Sequence, residues 1–242
     1  MLYLIGLGLD VEDISFKAIK IIKKCRQVYL ELYTVDFPYK IKELEKSIKK
    51  KIIPASREIV ENNPEILIEK AKKQDIALLI YGDPLSATTH IDLVLRAKKA
   101  RVKIKIMHNS SIATAVADTG LQLYKFGKIA SIPKWQDNFK PESFYDTFKE
   151  NQAIKAHTLF LLDIGLEVNE AISCIKEIAS KRKDDISSLM IIACSKLGTE
   201  KAKITKGRID ELAKKKFQKP ACLIIPSALH FMEAEMLESI SN

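Results

Sequence analysis

A chain of 242 residues is long for one core and comfortable for two domains of ordinary size. Its 47% apolar and 29% charged residues exclude a disordered chain, and the longest apolar runs, Ile76 to Tyr81 and Leu189 to Cys194, fall far short of the roughly 20 residues of a membrane span. The net charge of +9 points toward an anionic partner, but only six of the 40 basic residues are Arg, whose forked donors read phosphates and bases, so no stable nucleic-acid partner is expected.

In chain order, Leu2 to Leu7 reads as a short apolar strand. Glu12 to Lys24 follows with Ile14, Ala18, Ile21 and Ile22 at helical spacing. Val28 to Leu32 is a second strand, Tyr39 to Lys50 a helix with Ile41, Leu44 and Ile48 on one face, and Ile52-Ile53 a brief third strand. Asn63-Pro64 opens a helix to Lys73, with Asn as cap and Pro in the first turn. Ile76 to Tyr81 is a buried strand, Thr89 to Ala100 a helix and Val102 to Met107 a fifth strand. Strands alternating with helices predict a parallel sheet covered on both faces.

After His108 the rhythm changes. Ser111 to Thr119 is a helix rich in small residues, ended by Gly120. Strands are expected at Ile129 to Ile132, Thr158 to Leu162, Leu189 to Cys194, Lys203 to Thr205 and Cys222 to Ile225. Helices are expected at Pro141 to Asn151, Val168 to Ser180, Ile209 to Lys214 and Ala228 to Ile240. The expectation is an α/β protein of two α/β domains, residues 1–110 with a parallel sheet and residues 111–242, with an interdomain cleft, a common place for a ligand.

The N-terminus carries no basic stretch, so no signal peptide is read there and a cytoplasmic address follows; no membrane partner is expected. Cys25, Cys174, Cys194 and Cys222 form no C-x-x-C pair and read as small buried hydrophobes. His90, His108, His157 and His230 are dispersed, so no metal is expected.

Three polar turns carry the chemistry. The first strand ends in Gly6-Leu7-Gly8-Leu9-Asp10, where glycines allow a tight turn or a close approach to a ligand. It is not the dinucleotide fingerprint, because Val11 stands at the third glycine. Tyr81 to His90 follows the fourth strand, where open α/β sheets bind ligands. Thr88 and Thr89 can cap the helix there, and Asp83 can face a cationic group; the same residues also read as a plain Asp-Pro turn with a threonine cap. His108-Asn109-Ser110-Ser111-Ile112-Ala113 follows the fifth strand, with hydroxyls for polar ligand groups, and reads equally as a serine-capped helix.

Together with Thr119 to Lys128, His157 to Asp163, Pro226, His230 and Glu233-Ala234-Glu235, these runs resemble the diphthine synthase family, of the tetrapyrrole methylase-like superfamily, along nearly the whole chain. The resemblance implies a homodimeric enzyme. It would methylate the amine of a 3-amino-3-carboxypropyl-modified histidine on elongation factor 2, with S-adenosylmethionine as donor. It implies cofactor contacts at Leu9, Asp83, Ser86, Ser111 and Ile112 in the first half and at Leu162, Leu197 and Ala221 in the second. Ser86 stands where the family often has valine and Ala221 where many relatives have histidine, and the segment Ile164 to Glu167 is short. No catalytic residue is assigned; His157, Asp163 and Tyr124 are bases by type only. The alternatives are a same-fold methyltransferase acting on a corrin precursor or ribosomal RNA, and a non-enzymatic nucleotide- or partner-binding module.

Overall fold

A computed structural model describes residues 1–240. The first five apolar runs become parallel strands separated by helices. They are β1 (Leu2–Gly6), α1 (Phe16–Lys24), β2 (Gln27–Glu31), α2 (Ile41–Ile48), β3 (Ile53–Ala55), a π turn over Glu58–Asn62, α3 (Glu65–Lys73), β4 (Ile76–Ile80), α4 (Ile91–Lys99) and β5 (Ile104–Met107). Their order in the sheet is β3-β2-β4-β1-β5, all parallel. Alternation along β1 sends Leu2 and Leu4 into one core with Leu67, Ile68, Leu93 and Ala97 of α3 and α4. It sends Ile5 into the other with Ala18 and Ile22 of α1 and Leu44 and Ile48 of α2. Covering both faces removes the need for polar residues, which is why β4 is buried at every position.

The strand order has a functional consequence. From β1 the chain crosses β4 to reach β2, and from β4 it crosses β1 to reach β5. The two connections leave in opposite directions, so the carboxyl ends of β1 and β4 flank a topological switch point, the usual ligand crevice of such sheets.

The chain divides into two compact units, Met1–Ala113 and the part from Thr114 onward. At the division lies α5 (Ile112–Ala115), which runs into a 3-10 turn over Val116–Thr119 closed by Gly120 at φ 82°. The second unit continues with a 3-10 turn at Leu123–Lys125, β6 (Ala130–Ile132), α6 (Ser143–Ala153), β7 (Thr158–Leu162), α7 (Val168–Arg182), β8 (Met190–Ser195), β9 (Lys203–Arg208), α8 (Ile209–Leu212), β10 (Ala221–Ile225) and α9 (Phe231–Ser239). Its sheet runs β6-β7-β10-β8-β9, with β6 and β7 parallel and the other neighbours antiparallel. One face, with Ile132, Phe160, Ile191, Ala193, Leu223 and Ile225, packs on α6 and α7. The four cysteines are buried and free, and burial pushes the Cys25 thiol up to about 11.

Several expected starts move. The first helix begins at Phe16 rather than Glu12, because the Ser15 hydroxyl accepts from Ala18 N–H and caps it there. The third helix is preceded by Pro64; Asn63 does not cap it, because its side-chain amide is held by Glu58 of the π turn. Neither Thr88 nor Thr89 caps α4. Thr88 Oγ1 donates to Pro84 O at 2.7 Å, Thr89 Oγ1 donates to Glu61 at 2.8 Å, and His90 occupies the cap position. The last two residues of the expected 111–242 domain lie outside the described ones.

Candidate functional site

The turns after β1 and β4 are built against each other. Gly8 N–H donates to Gly82 O at 3.2 Å and Gly82 N–H to Gly8 O at 2.9 Å, with φ at 77° and 71°. A Cβ at Gly6 would come within 2.6 Å of Gly82 O, so any other residue would push the turns apart. A Cβ at Gly82 would sit in ordinary contact with Ser110 and Ser111, at 3.7 Å, so it is the φ of 71° that calls for glycine there.

Side chains tie in the third turn. Asp13 Oδ2 accepts from Leu9 N–H at 2.7 Å, Asp10 N–H at 3.0 Å and Ser110 Oγ at 3.3 Å. Asn109 Nδ2 donates to Gly6 O at 3.1 Å and to Asp13 O at 3.0 Å. Asp83 spends both oxygens in the same way: Oδ1 accepts from Leu85 N–H at 2.9 Å, and Oδ2 from His108 Nδ1 at 2.8 Å and Asn109 N–H at 3.1 Å. The Ser86 and Ser111 hydroxyls meet at 3.1 Å, and Tyr81 OH donates to Leu9 O at 3.1 Å. Leu9, Asp83, Ser86, Ser111 and Ile112 are thereby gathered at the carboxyl ends of β1, β4 and β5.

A second layer holds this loop from behind. Pro84 O accepts from Thr88 Oγ1 and also from His90 Nδ1, at 3.2 Å. A carbonyl only accepts, so Nδ1 carries the proton. The other ring nitrogen lies 3.6 Å from Glu31 Oε2, with both side chains 1% exposed, and neither of these two atoms hydrogen-bonds elsewhere. Sequence reasoning missed Asp13 and Glu31. One of three acids in the loop Asp10 to Asp13 and a lone acid at a strand end have no pattern that marks them, and both are read only from what folds onto them.

In the second unit Leu162 ends β7, Ala221 opens β10 and Leu197 lies just past β8. The register Cys222↔Leu161 and Ala221↔Ser195 brings these three to adjoining ends of neighbouring strands. Lys196 N–H, donating to Pro220 O at 2.8 Å, draws the end of β8 onto β10.

The three candidate bases lie apart in their chemistry. His157 is fully buried; its Nδ1 accepts from Ser227 N–H at 2.9 Å, so Nε2 carries the proton and donates to Glu233 Oε1 at 3.1 Å. Burial lowers the His157 pKa, and Glu233 opposes that shift only in part. Burial also pushes the Glu233 carboxyl up, but Lys125, the Gln122 and His230 N–H groups and His157 together outweigh it and hold it at about 2. Asp163 and Tyr124 are exposed, Asp163 bonded to its neighbour Ile164 N–H and Tyr124 to Gln122. Among the described residues no group of three or more His, Cys, Asp or Glu could hold a metal ion, and no helix is long and apolar enough to cross a membrane.

Polar turns at the switch point of one α/β unit, followed by a mixed-sheet α/β unit, define a class, and residues 1–213 match the tetrapyrrole (corrin/porphyrin) methylases. The diphthine synthase of Methanocaldococcus jannaschii is 40% identical over 98% of each chain. The diphthine methyl ester synthase of Schizosaccharomyces pombe is 35% identical over 99% of this chain and 94% of its own. A crystal structure of diphthine synthase superposes with a TM-score of 0.91 at 33% identity, covering 99% of this chain and 95% of the other. The chain belongs to the diphthine synthase family and is an S-adenosylmethionine-dependent methyltransferase.

Proposed function

We propose that the chain methylates the amine of a histidine on translation elongation factor 2 that already carries a 3-amino-3-carboxypropyl group. The observation that carries this reading is likeness along the whole chain to diphthine synthases and diphthine methyl ester synthases. S-adenosylmethionine, when bound, supplies an electrophilic sulfonium methyl. The residues at the β1, β4 and β5 turns suit such a donor. The Ser86 and Ser111 hydroxyls offer hydrogen bonds to its polar groups, and Leu9 and Ile112 give apolar contact. Asp83 acts first by fixing the turn, since both its oxygens already accept from the protein. Leu162, Leu197 and Ala221 are the proposed contacts of the second unit.

The chain contributes alignment rather than proton transfer. Holding the amine in line with a methyl group supplies on the order of 7–11 kcal/mol of the barrier. His157 offers no general base here, because the Ser227 N–H occupies its Nδ1 lone pair. The amine therefore reaches the site neutral or yields its proton to water.

The fungal and human relatives are named for a methyl ester, which favours a second acceptor on the same side chain, its carboxylate oxygen. Intact-protein mass spectrometry on factor made with and without the preceding modification tests both readings. Mass gain in methyl steps on the modified factor alone is the expected result, and loss of one methyl in mild alkali marks an ester. A modified factor left unmethylated, beside labelled ribosomal RNA or a labelled corrin precursor, overturns the proposal. The reading includes a cytoplasmic homodimer, and sedimentation of the pure protein checks the dimer.

A further inference from the structure

The second unit holds a basic pocket of about 480 Å³ that the methyl-transfer reading does not use. Its floor comes from the strands. Ser195 ends β8 and pairs with Lys203, and Ala193 pairs with Thr205, so alternation puts Ser195, Lys203 and Thr205 on one face of the β8–β9 ribbon. Lys201 stands just before β9, and Lys215, Lys216 and Phe217 close the pocket from the connection between α8 and β10.

Three features mark it as built for an anion. None of these four lysines makes an ion pair among the described residues, although other lysines of the unit do, as Lys176 with Asp210 and Lys181 with Glu177. Glu211 feels the charge of Lys215, but its carboxylate is bonded to Arg208. Ser195 and Thr205 are each 4% exposed, line the pocket, and their hydroxyls make no hydrogen bond to the protein among the described residues. Neither hydroxyl is sealed from solvent, so both open onto the pocket and can donate to an anion there. The location also matters. Ser195 pairs with Ala221 on its other side and is two residues from Leu197, so the pocket adjoins the proposed second-unit contacts.

We infer that this pocket holds the carboxylates of an acidic segment of the protein substrate and so docks that substrate beside the site of methyl transfer. This rests on the proposed function. The lining favours a peptide over nucleic acid. No Arg lines it, so there is no fork for a phosphate or a base edge, and Phe217 is packed against the core and is no open platform for stacking. Lysines are point charges on flexible stems and accept carboxylates in several geometries.

The test is the paired charge reversal Lys203→Glu with Lys216→Glu, beside the milder Thr205→Val. The double variant is expected to raise KM for modified elongation factor 2 by about tenfold and to flatten its rise with salt, with kcat, S-adenosylmethionine affinity and Tm unchanged. Thr205→Val is expected to raise KM less and to keep the salt dependence. An unchanged KM and salt slope in the double variant overturns the inference. So does a variant that loses binding of an RNA oligomer while methylating the factor as the wild type does. If the wild type transfers no methyl group to the factor, the functional reading falls, and the pocket is judged by fluorescein-labelled oligoglutamate. The wild type must bind this probe and the double variant must release it; equal binding overturns the inference.

Discussion

A carboxylate that ties two turns together cannot be removed without moving both. Asp83 holds Leu85 N–H within its own turn and His108 and Asn109 of the next. Asp83→Ala is therefore expected to cost about 1.5–3 kcal/mol of stability, the range for a hydrogen bond to a charged group, and to weaken S-adenosylmethionine in the same step. Urea unfolding beside calorimetry checks this; lost affinity at full stability would assign Asp83 a direct contact instead. One layer further back, His90 passes the position of Glu31 to Pro84 O. His90→Phe keeps the volume and strips Pro84 O of one of its two donors, for an expected loss of about 1 kcal/mol. Glu31→Gln is expected to be milder, because an amide N–H can donate to the second ring nitrogen, which has no partner, and hold His90 in place. Equal losses in the two variants, read as urea midpoints, would show that the orientation of His90 is irrelevant.

At the scale of elements, α9 is fastened to the second unit by one carboxylate. Glu233 takes the Gln122 N–H from the segment before the Leu123–Lys125 turn, its own cap N–H at His230, the Lys125 ammonium and the His157 ring at the start of β7. Both titrating groups have folded pKa values below their ordinary ones, so both stabilise the fold at neutral pH. The share of His157 fades as pH falls below its ordinary 6.5, where the unfolded chain binds the proton more readily. The share of Glu233 is complete above 4.5 and is lost on the way down to about 2. The single Trp135 lies in this unit, with Lys140 and Lys181 over its ring, and reports its unfolding. The urea midpoint by Trp135 fluorescence is expected to fall from pH 7 to 5 and again below 4.5, and Glu233→Gln is expected to shrink the lower step, leaving the part due to the unit's other acids with lowered pKa, Glu177, Asp184, Asp185, Asp210 and Glu211. Little of this was legible in the sequence. The apolar runs of β1, β4 and β7 and the glycine at the end of the α5 segment announce themselves by composition. The pairing order of fully buried strands does not, because they lack the alternation that fixes a face. Helix starts failed where a side chain had a better partner outside the helix, as Thr88 has in Pro84 O and Thr89 in Glu61. The site was legible as three turns, but Asp13 ties the first turn to Ser110 and Glu31 faces His90 across long stretches of sequence that no local pattern connects.

For the whole molecule the decisive property is which nucleoside it recognises. The Gly6-Leu7-Gly8 turn is spent on pairing with Gly82, and Val11 occupies the place of a third glycine, so the first unit has no dinucleotide cradle of the usual kind. A ligand that binds only the folded chain raises stability by mass action, by about 2.7 kcal/mol at a hundredfold excess over Kd. For a chain of this length that corresponds to a rise in Tm of roughly 5–10 °C. S-adenosylmethionine and its demethylated product are each expected to give such a shift, and NAD none. The Trp135 transition adds a second readout, because it belongs to the unit that holds Leu162, Leu197 and Ala221. If those residues contact the donor, the Trp135 transition must rise with the ligand as far as the global one. A rise confined to circular dichroism, with Trp135 unmoved, would restrict the donor to Leu9, Asp83, Ser86, Ser111 and Ile112. A shift with NAD and none with either methyl-donor nucleoside would return the chain to the nucleotide-binding modules that the same α/β architecture also supports.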